Sequence, residues 1–298
     1  MTMNGDLRRL IRGYLGDRTN AATPVNINPL GGGSHPVYRL SAGASRATWI
    51  AKSATASAER VLKLLTDANI GNVPRLLASL TIDGGRLILL TDLPGEHGNF
   101  GDPVPSSVLR TLAKVHNRFG QHDRQHVGDQ PAKQSRKHRL ATMDAECLTG
   151  IIDTALGEPS HFIPDLPQRI APIRHTLAKL IDETERFSHT LIHWDVHPGN
   201  ILNAGDASSI IDWGSAQRGP AMLDLANLIA WGSADFETYI RERESIGGAI
   251  DQTDLRREFD WAVAVIQLKY LPFATKIRDH ANTARMLGVV ERYLASPV

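Results

Sequence analysis

The chain has a single cysteine, Cys147, in 298 residues. No intrachain disulfide can form, and the Cys/His spacing of a structural zinc site is missing. It also lacks a dominant charge. With 33 Lys and Arg against 32 Asp and Glu, the formal net charge of +1 gives no overall field to draw nucleic acid or an anionic membrane. No apolar run reaches membrane-spanning length, and the opening MTMNGDLRRLIRGYLGD has charged and polar residues where a signal peptide carries its apolar core. The expectation is a cytoplasmic protein with neither nucleic acid nor membrane as partner. Internal repeats and low-complexity tracts are absent as well, which excludes a solenoid. What is present is ordinary globular composition, 42% apolar and 22% charged, in a chain long enough for two packed lobes.

The pattern changes along the chain. Leu7, Leu10, Ile11 and Tyr14 recur at helical spacing after Asp6, so a short amphipathic helix opens the chain. Val25 to Leu30, Val37 to Leu40 and Thr48 to Ala51 are β-prone runs punctuated by Gly, Ser and Pro. Helical spacing returns from Ser57 to Asn69. Two strands follow, Arg75 to Ile82 and Arg86 to Thr91, joined by Asp83-Gly84-Gly85, a strong hairpin sequence. After Pro94-Gly95 helical patterns dominate, over Ser106–Phe119, Arg136–Leu156, Leu166–Glu185, Met222–Gly232 and Leu255–Tyr270. The expected class is α+β, with residues 1–95 as an antiparallel-sheet lobe and 96–298 as a mainly helical lobe.

The most informative segment is TLIHWDVHPGNILNAGDASSIID, Thr190 to Asp212. His193-x-Asp195 is followed five residues later by Asn200, then by apolar Ile201-Leu202, and a second β-prone run ends in Asp212-Trp213-Gly214. A lone Asp and Asn at this spacing would most often be a turn. The ordered set suits phosphoryl transfer, which needs a carboxylate for the attacking hydroxyl and oxygen ligands for Mg²⁺, and little covalent chemistry. HWDVHPGN resembles the catalytic loop of the aminoglycoside phosphotransferase and choline kinase group, and IIDWG resembles the magnesium-binding motif that follows it. Asp224-Leu225-Ala226 matches the acidic motif that closes this region in the family.

The resemblance implies a bilobal protein kinase-like fold and a small-molecule kinase using ATP or GTP with Mg²⁺. Asp195 would accept the hydroxyl proton, Asn200 and Asp212 would hold the metal, and His193 and Asp224 would brace the loop. His197 has two open roles, assisting transfer or packing the loop. In the front half, Gly31-Gly32-Gly33-Ser34-His35 lies between two expected strands. Three glycines there can serve a hairpin, or Gly32, Gly33, Ser34 and His35 can bring backbone N–H groups and a hydroxyl to phosphate. Lys52, at the end of the third expected strand, would meet the α- and β-phosphates, with Glu59 on the next helix as its partner. Backbone groups of Thr91 and Leu93 would read the adenine edge by family geometry.

The acceptor is a small hydroxylated molecule that the motifs do not name. Acidic residues from Asp235 to Asp260 alternate with Arg241, Arg243, Arg256 and Arg257, the pattern of a solvated helix face more than of an anion cup. Arg136, Lys137, His138 and Arg139 form a basic cluster that is either an exposed stretch or a contact for an anionic acceptor. Three readings stay open: an antibiotic phosphotransferase conferring resistance by inactivation, a metabolic kinase of a sugar, choline-like alcohol or amino alcohol, and a catalytically silent nucleotide-binding regulator. The intact set of Lys52, Asp195, Asn200 and Asp212 argues against the last.

Overall fold

The computed structural model describes residues 3–16, 24–31, 36–43, 47–83, 85–126, 140–157, 166–247 and 252–296. Gly32, Gly33, Ser34 and His35, the candidate phosphate loop, and the basic cluster Arg136 to Arg139 lie outside the described residues. The chain divides into two compact units. One comprises Met1–Thr111 with Pro198–Ala216, the other Leu112–His197 with Gln217–Val298.

The first unit begins with α1 (Met3–Leu15), β1 (Val25–Leu30), β2 (Val37–Ala42) and β3 (Thr48–Ala54). Then come α2 (Ala56–Asp67), β4 (Leu76–Ile82), β5 (Gly85–Thr91) and the two-residue β6 (Glu96–His97). The five longer strands form an antiparallel sheet in the order β1-β2-β3-β5-β4. Alternation assigns its two faces. Leu40, Trp49, Ala51, Leu87 and Leu89 join Leu7, Leu10 and Ile11 of α1 in one core cluster. Lys52, Arg86 and Ile88, one position out of phase, lie on the face opposite α1, and α2 packs on β3, β4 and β5. Burying each large side chain of α1 contributes about 1.5–3 kcal/mol. Thr55 caps α2, its side chain accepting the Ala58 N–H at 3.1 Å.

The unit boundary falls within α3 (Ser106–His126). The second unit continues with α4 (Ala145–Gly157), α5 (Leu166–Thr184) and β7 (His189–Ile192). The chain then re-enters the first unit as β8 (Ile201–Asn203) and β9 (Ser209–Ile210), which extend β6 in the order β6-β8-β9. The second unit resumes with β10 (Gln217–Pro220), antiparallel to β7, and ends with α6 (Met222–Leu225), α7 (Ala234–Gly247), α8 (Gln252–Lys276) and α9 (His280–Ala295). The protein is therefore mixed α+β, as its pattern of strands followed by helices implies.

Several elements differ from expectation, and α7 was not foreseen. Among the described residues, the helix expected over Arg136–Leu156 starts at Ala145. Met143 N–H bonds the Arg218 carbonyl at 2.7 Å and Arg218 N–H bonds the Ala141 carbonyl at 2.8 Å, so this stretch runs beside β10 instead. The helix expected over Met222–Gly232 stops at Leu225 and gives way to turns. Asn227 turns its side chain to the Val196 carbonyl at 2.7 Å, and Gly232 takes a positive φ of 67°. The unforeseen α9 is capped by Asp279, whose side chain accepts the Asn282 N–H at 3.0 Å.

Candidate active site

In the first unit Lys52 ends up beside Asp212. Its Nζ is 2.6 Å from Asp212 Oδ1, and the two side chains are 17% and 55% exposed. The expected Lys52–Glu59 pair does not form. Glu59 instead pairs with Arg86 at 3.1 Å. The register explains the exchange, because Arg86 sits opposite Ala54, immediately before the cap of α2, and so reaches Glu59 in the first turn of that helix.

Asp212 itself has a left-handed backbone, φ 60° and ψ 56°, at the entry to a single 3₁₀ turn, Trp213–Ser215. The fully buried Trp213 anchors that turn by donating its indole N–H to the Ile210 carbonyl at 3.0 Å. Ile211 N–H bonds the Asn200 carbonyl at 2.9 Å, which sets the backbone of Asn200 against the residue next to Asp212. His97 Nδ1 lies 2.7 Å from the Gly199 carbonyl. A carbonyl only accepts, so Nδ1 carries the proton. Among the described residues no three His, Cys, Asp or Glu side chains cluster as a metal site. An amide and a carboxylate on adjacent backbones fit a cation such as Mg²⁺, which takes one or two carboxylates and leaves its other positions to phosphate and water.

The segment after β5 is held by Asp92, which accepts from Arg39 at 2.7 and 3.2 Å and from Thr48 at 2.6 Å. Thr91 is already committed to the sheet edge. Its N–H bonds the Arg75 carbonyl at 3.1 Å, and its hydroxyl accepts the Arg75 N–H at 3.0 Å. Of the two expected base-reading residues, only Leu93 has backbone groups that bond nothing among the described residues. Gly95, at φ 123°, lies so close to β8 that a Cβ there would fall 2.7 Å from the Asn203 carbonyl oxygen. Only glycine suits both conditions.

In the second unit the loop after β7 is organised around buried Asp224. Its Oδ2 accepts the His193 N–H at 2.8 Å, and its Oδ1 accepts the Trp194 N–H at 2.8 Å. His116 Nε2 is 3.1 Å from the same Oδ2, and His116 Nδ1 is 2.8 Å from the Tyr239 hydroxyl. Burial pushes the His116 pKa down despite Asp224. Burial also opposes the charge of Asp224, but the hydrogen bond from His116 and the His193 amide outweigh it and hold the carboxyl below its ordinary range. Asp224 lies within the first turn of α6 and is not its cap; Glu258 of α8 accepts the Met222 N–H at 2.9 Å in that place. Together these bonds stabilise Trp194 in a left-handed conformation, φ 68°, that a bulky residue otherwise avoids.

Asp195 follows directly. His193 Nδ1 accepts its N–H at 3.3 Å, and its Oδ2 is 3.9 Å from His197 Nε2. Oδ1 receives two donors from α8, Lys269 Nζ at 2.9 Å and the Tyr270 hydroxyl at 3.0 Å. Sequence reasoning missed both. The available signal was a lone cation in the otherwise apolar run AVAVIQLKYLPF, residues 262–273, since a buried charge needs a partner. Burial lowers the Lys269 pKa despite Asp195, and burial raises that of Tyr270.

The C-terminal charges do not all form the expected solvated face, because Glu258 is buried and Arg257 reaches the buried Glu183. Arg256 pairs with Asp260 one turn on at 2.8 Å, and Arg257 grips Glu183 at 2.6 and 2.8 Å. Trp231, Phe236 and Phe259 pack in tilted and edge-on contacts with ring centroids 4.4 to 5.8 Å apart. Among the described residues no helix is long and apolar enough to cross a membrane.

A five-stranded antiparallel sheet, a helical unit and an Asp/Asn loop followed by Asp-Trp-Gly define a phosphotransferase that acts on hydroxyl groups of small molecules. The chain belongs to the phosphotransferase enzyme family (APH), whose family model matches residues 26–261. No curated protein matches it significantly. Among solved structures it is similar to wild-type aminoglycoside 2'-phosphotransferase-IIIa in its GDP complex, at 17% identity and TM-score 0.57 over 99% of both chains. It is also similar to choline kinase from Cryptosporidium parvum Iowa II, at 12% identity and TM-score 0.61 over 97% of this chain and 93% of that one. A third is an amicoumacin kinase in complex with AMP-PNP, Ca²⁺ and Ami, at 14% identity and TM-score 0.60 over 98% and 94%. At these identities the likeness is one of fold.

Proposed function

We propose that the protein moves the γ-phosphoryl group of ATP, or of GTP, onto a hydroxyl of a small molecule in the cytoplasm, with Mg²⁺ as the metal. The observation that carries this reading is the hydrogen bond from Ile211 N–H to the Asn200 carbonyl, which sets the backbone of Asn200 against the Asp-Trp-Gly segment. Asn200 and Asp212 would hold the metal, which when bound offsets phosphate charge. Lys52 would exchange Asp212 for the phosphate oxygens. Asp195 would orient the hydroxyl and receive its proton. The hydroxyl oxygen forms its bond to the γ-phosphorus as the bond to the β,γ-bridging oxygen breaks, and that electron pair leaves with the nucleoside diphosphate.

The acceptor is a hydroxylated natural product or metabolite. The names of the similar structures cover both an antibiotic and a metabolic role, aminoglycoside and amicoumacin on one side and choline on the other. A silent regulator has no observation in its favour, since Lys52, Asp195, Asn200 and Asp212 are all in place. The test is transfer from γ-labelled ATP and GTP, with Mg²⁺, to a panel of hydroxylated antibiotics, sugars and amino alcohols. Transfer to one class names the acceptor, and Asp195→Ala should abolish it while calorimetric ATP affinity holds. Absence of transfer to any member or to water would count against the reading.

A further inference from the structure

The catalytic loop is held from α8 as well as from Asp224. Lys269 donates its ammonium to the Trp194 carbonyl, to Asp195 Oδ1 at 2.9 Å and to the Tyr270 hydroxyl at 3.2 Å. An ammonium has three donors, and these three oxygens use all of them. The same nitrogen lies 4.6 Å from the ring centroids of both Trp194 and Tyr270, so the cation is also lodged between two aromatic faces. Asn227 completes the arrangement, donating to the Val196 carbonyl at 2.7 Å and approaching the Tyr270 hydroxyl at 3.5 Å. Three consecutive loop residues, Trp194, Asp195 and Val196, are thereby fixed by three side chains of the second unit.

We propose that Lys269 is a positioning residue for Asp195 and, through its charge, a specificity residue that disfavours acceptors with an ammonium group beside the reacting hydroxyl. The proposal rests on Asp195 being the group that receives the hydroxyl. Two donors on Oδ1 fix the plane of the carboxylate. A carboxylate with no cation beside it would attract a substrate ammonium as a full charge. Paired with Lys269 at 2.9 Å it offers only a dipole, and an ammonium close to the hydroxyl meets a like charge. A neutral or anionic surrounding of the hydroxyl suits this site better than a polycation.

Two variants separate the positioning role from the charge role. Lys269→Met removes the ammonium and keeps the length of the side chain, whereas Tyr270→Phe removes one donor to Oδ1 and no charge. Phosphoryl transfer to water, or to the best acceptor of the panel, should fall at least about tenfold in kcat for Lys269→Met and less for Tyr270→Phe, with KM for ATP unchanged in both. Kanamycin serves as the polycationic probe. Its calorimetric affinity at low salt should rise about tenfold in Lys269→Met, stay unchanged in Tyr270→Phe, and fall back in Lys269→Met combined with Asp195→Asn.

A folded Lys269→Met with wild-type kcat would overturn the positioning role, and equal kanamycin affinity in wild type and variant would overturn the specificity role. If Lys269→Met does not fold, a wild-type kcat in Tyr270→Phe overturns the shared hold on Oδ1, and tight kanamycin binding by the wild type overturns the charge argument. A wild type that transfers phosphate to nothing removes the underlying reading, and the proposal with it.

Discussion

Replacing Glu258 by glutamine should make the protein progressively more stable than wild type as pH rises, with little gain in acid. Glu258 is buried in α8 and accepts the N–H of Met222. Burial pushes its pKa from 4.5 up to about 7, against the opposing effects of the Met222 amide and Arg243. The folded state therefore keeps a proton that the unfolded chain releases at lower pH. Between the two values the unfolded chain binds fewer protons, so stability falls as pH rises, from full strength below about 4.5 to a constant lower level above about 7. A rise from 4.5 to about 7 corresponds to roughly 3 kcal/mol. Glutamine cannot ionise and retains a carbonyl for Met222. Its stability advantage should increase by about 2–3 kcal/mol between pH 5 and pH 8. Any fixed cost of the new NH₂ group adds equally at both ends and leaves that increase untouched. Urea unfolding of wild type and variant at several pH values measures it, followed by a probe in the second unit such as Trp261. A difference independent of pH would refute the reasoning.

Other outcomes follow from the first unit. Lys52→Met should raise KM for ATP at least about tenfold, whereas Glu59→Ala, which loses only Arg86, should change it less than about twofold while lowering stability by up to about 1 kcal/mol; steady-state kinetics with thermal melts distinguish the two. Asp212→Ala and Asn200→Ala should each weaken the response of ATP binding to Mg²⁺, and the double variant should be weakened by less than the two effects combined, because ligands of one ion are coupled. Calorimetric titration at varied Mg²⁺ checks this, and wild-type curves from both single variants would remove the metal assignment. Gly95→Ala should destabilise the protein by about 1–3 kcal/mol, since it combines a positive φ with a 2.7 Å approach to Asn203; an unchanged melting curve would contradict that geometry.

The strands and most helices were legible because their periodicities are local. β1 starts and ends where the sequence pattern does, and β2 and β3 begin where it begins. The Asp195–Asn200 segment stood out for a different reason, since the proposed phosphoryl transfer demands particular residue types at short fixed offsets. Partners brought together by tertiary packing were not legible. Lys52 was expected at the end of a strand, but β3 runs on to Ala54, and that Arg86 rather than Lys52 takes Glu59 depends on the register of β3 against β5. Lys269 and Tyr270 stand 74 and 75 residues from Asp195, on a helix whose local pattern says only that it is apolar. The helix expected from Arg136 failed at its front because residues 141–143 run beside Arg218, and no local propensity reports that competition.

The discontinuity of the first unit has a consequence for how the chain is made. At a translation rate of about 5–20 residues per second, the 105 residues that follow Thr111 up to Ala216 take roughly 5–20 seconds to emerge. Until they do, the five-stranded sheet can form, but β6 waits for β8, and Gly95 waits for the carbonyl of Asn203 that it will sit against. A nascent or truncated fragment ending at Thr111 would thus hold a complete five-stranded sheet but a β6 with no strand to pair with. Separating the first unit for expression would require a rejoined sequence in which Pro198–Ala216 is carried along with it.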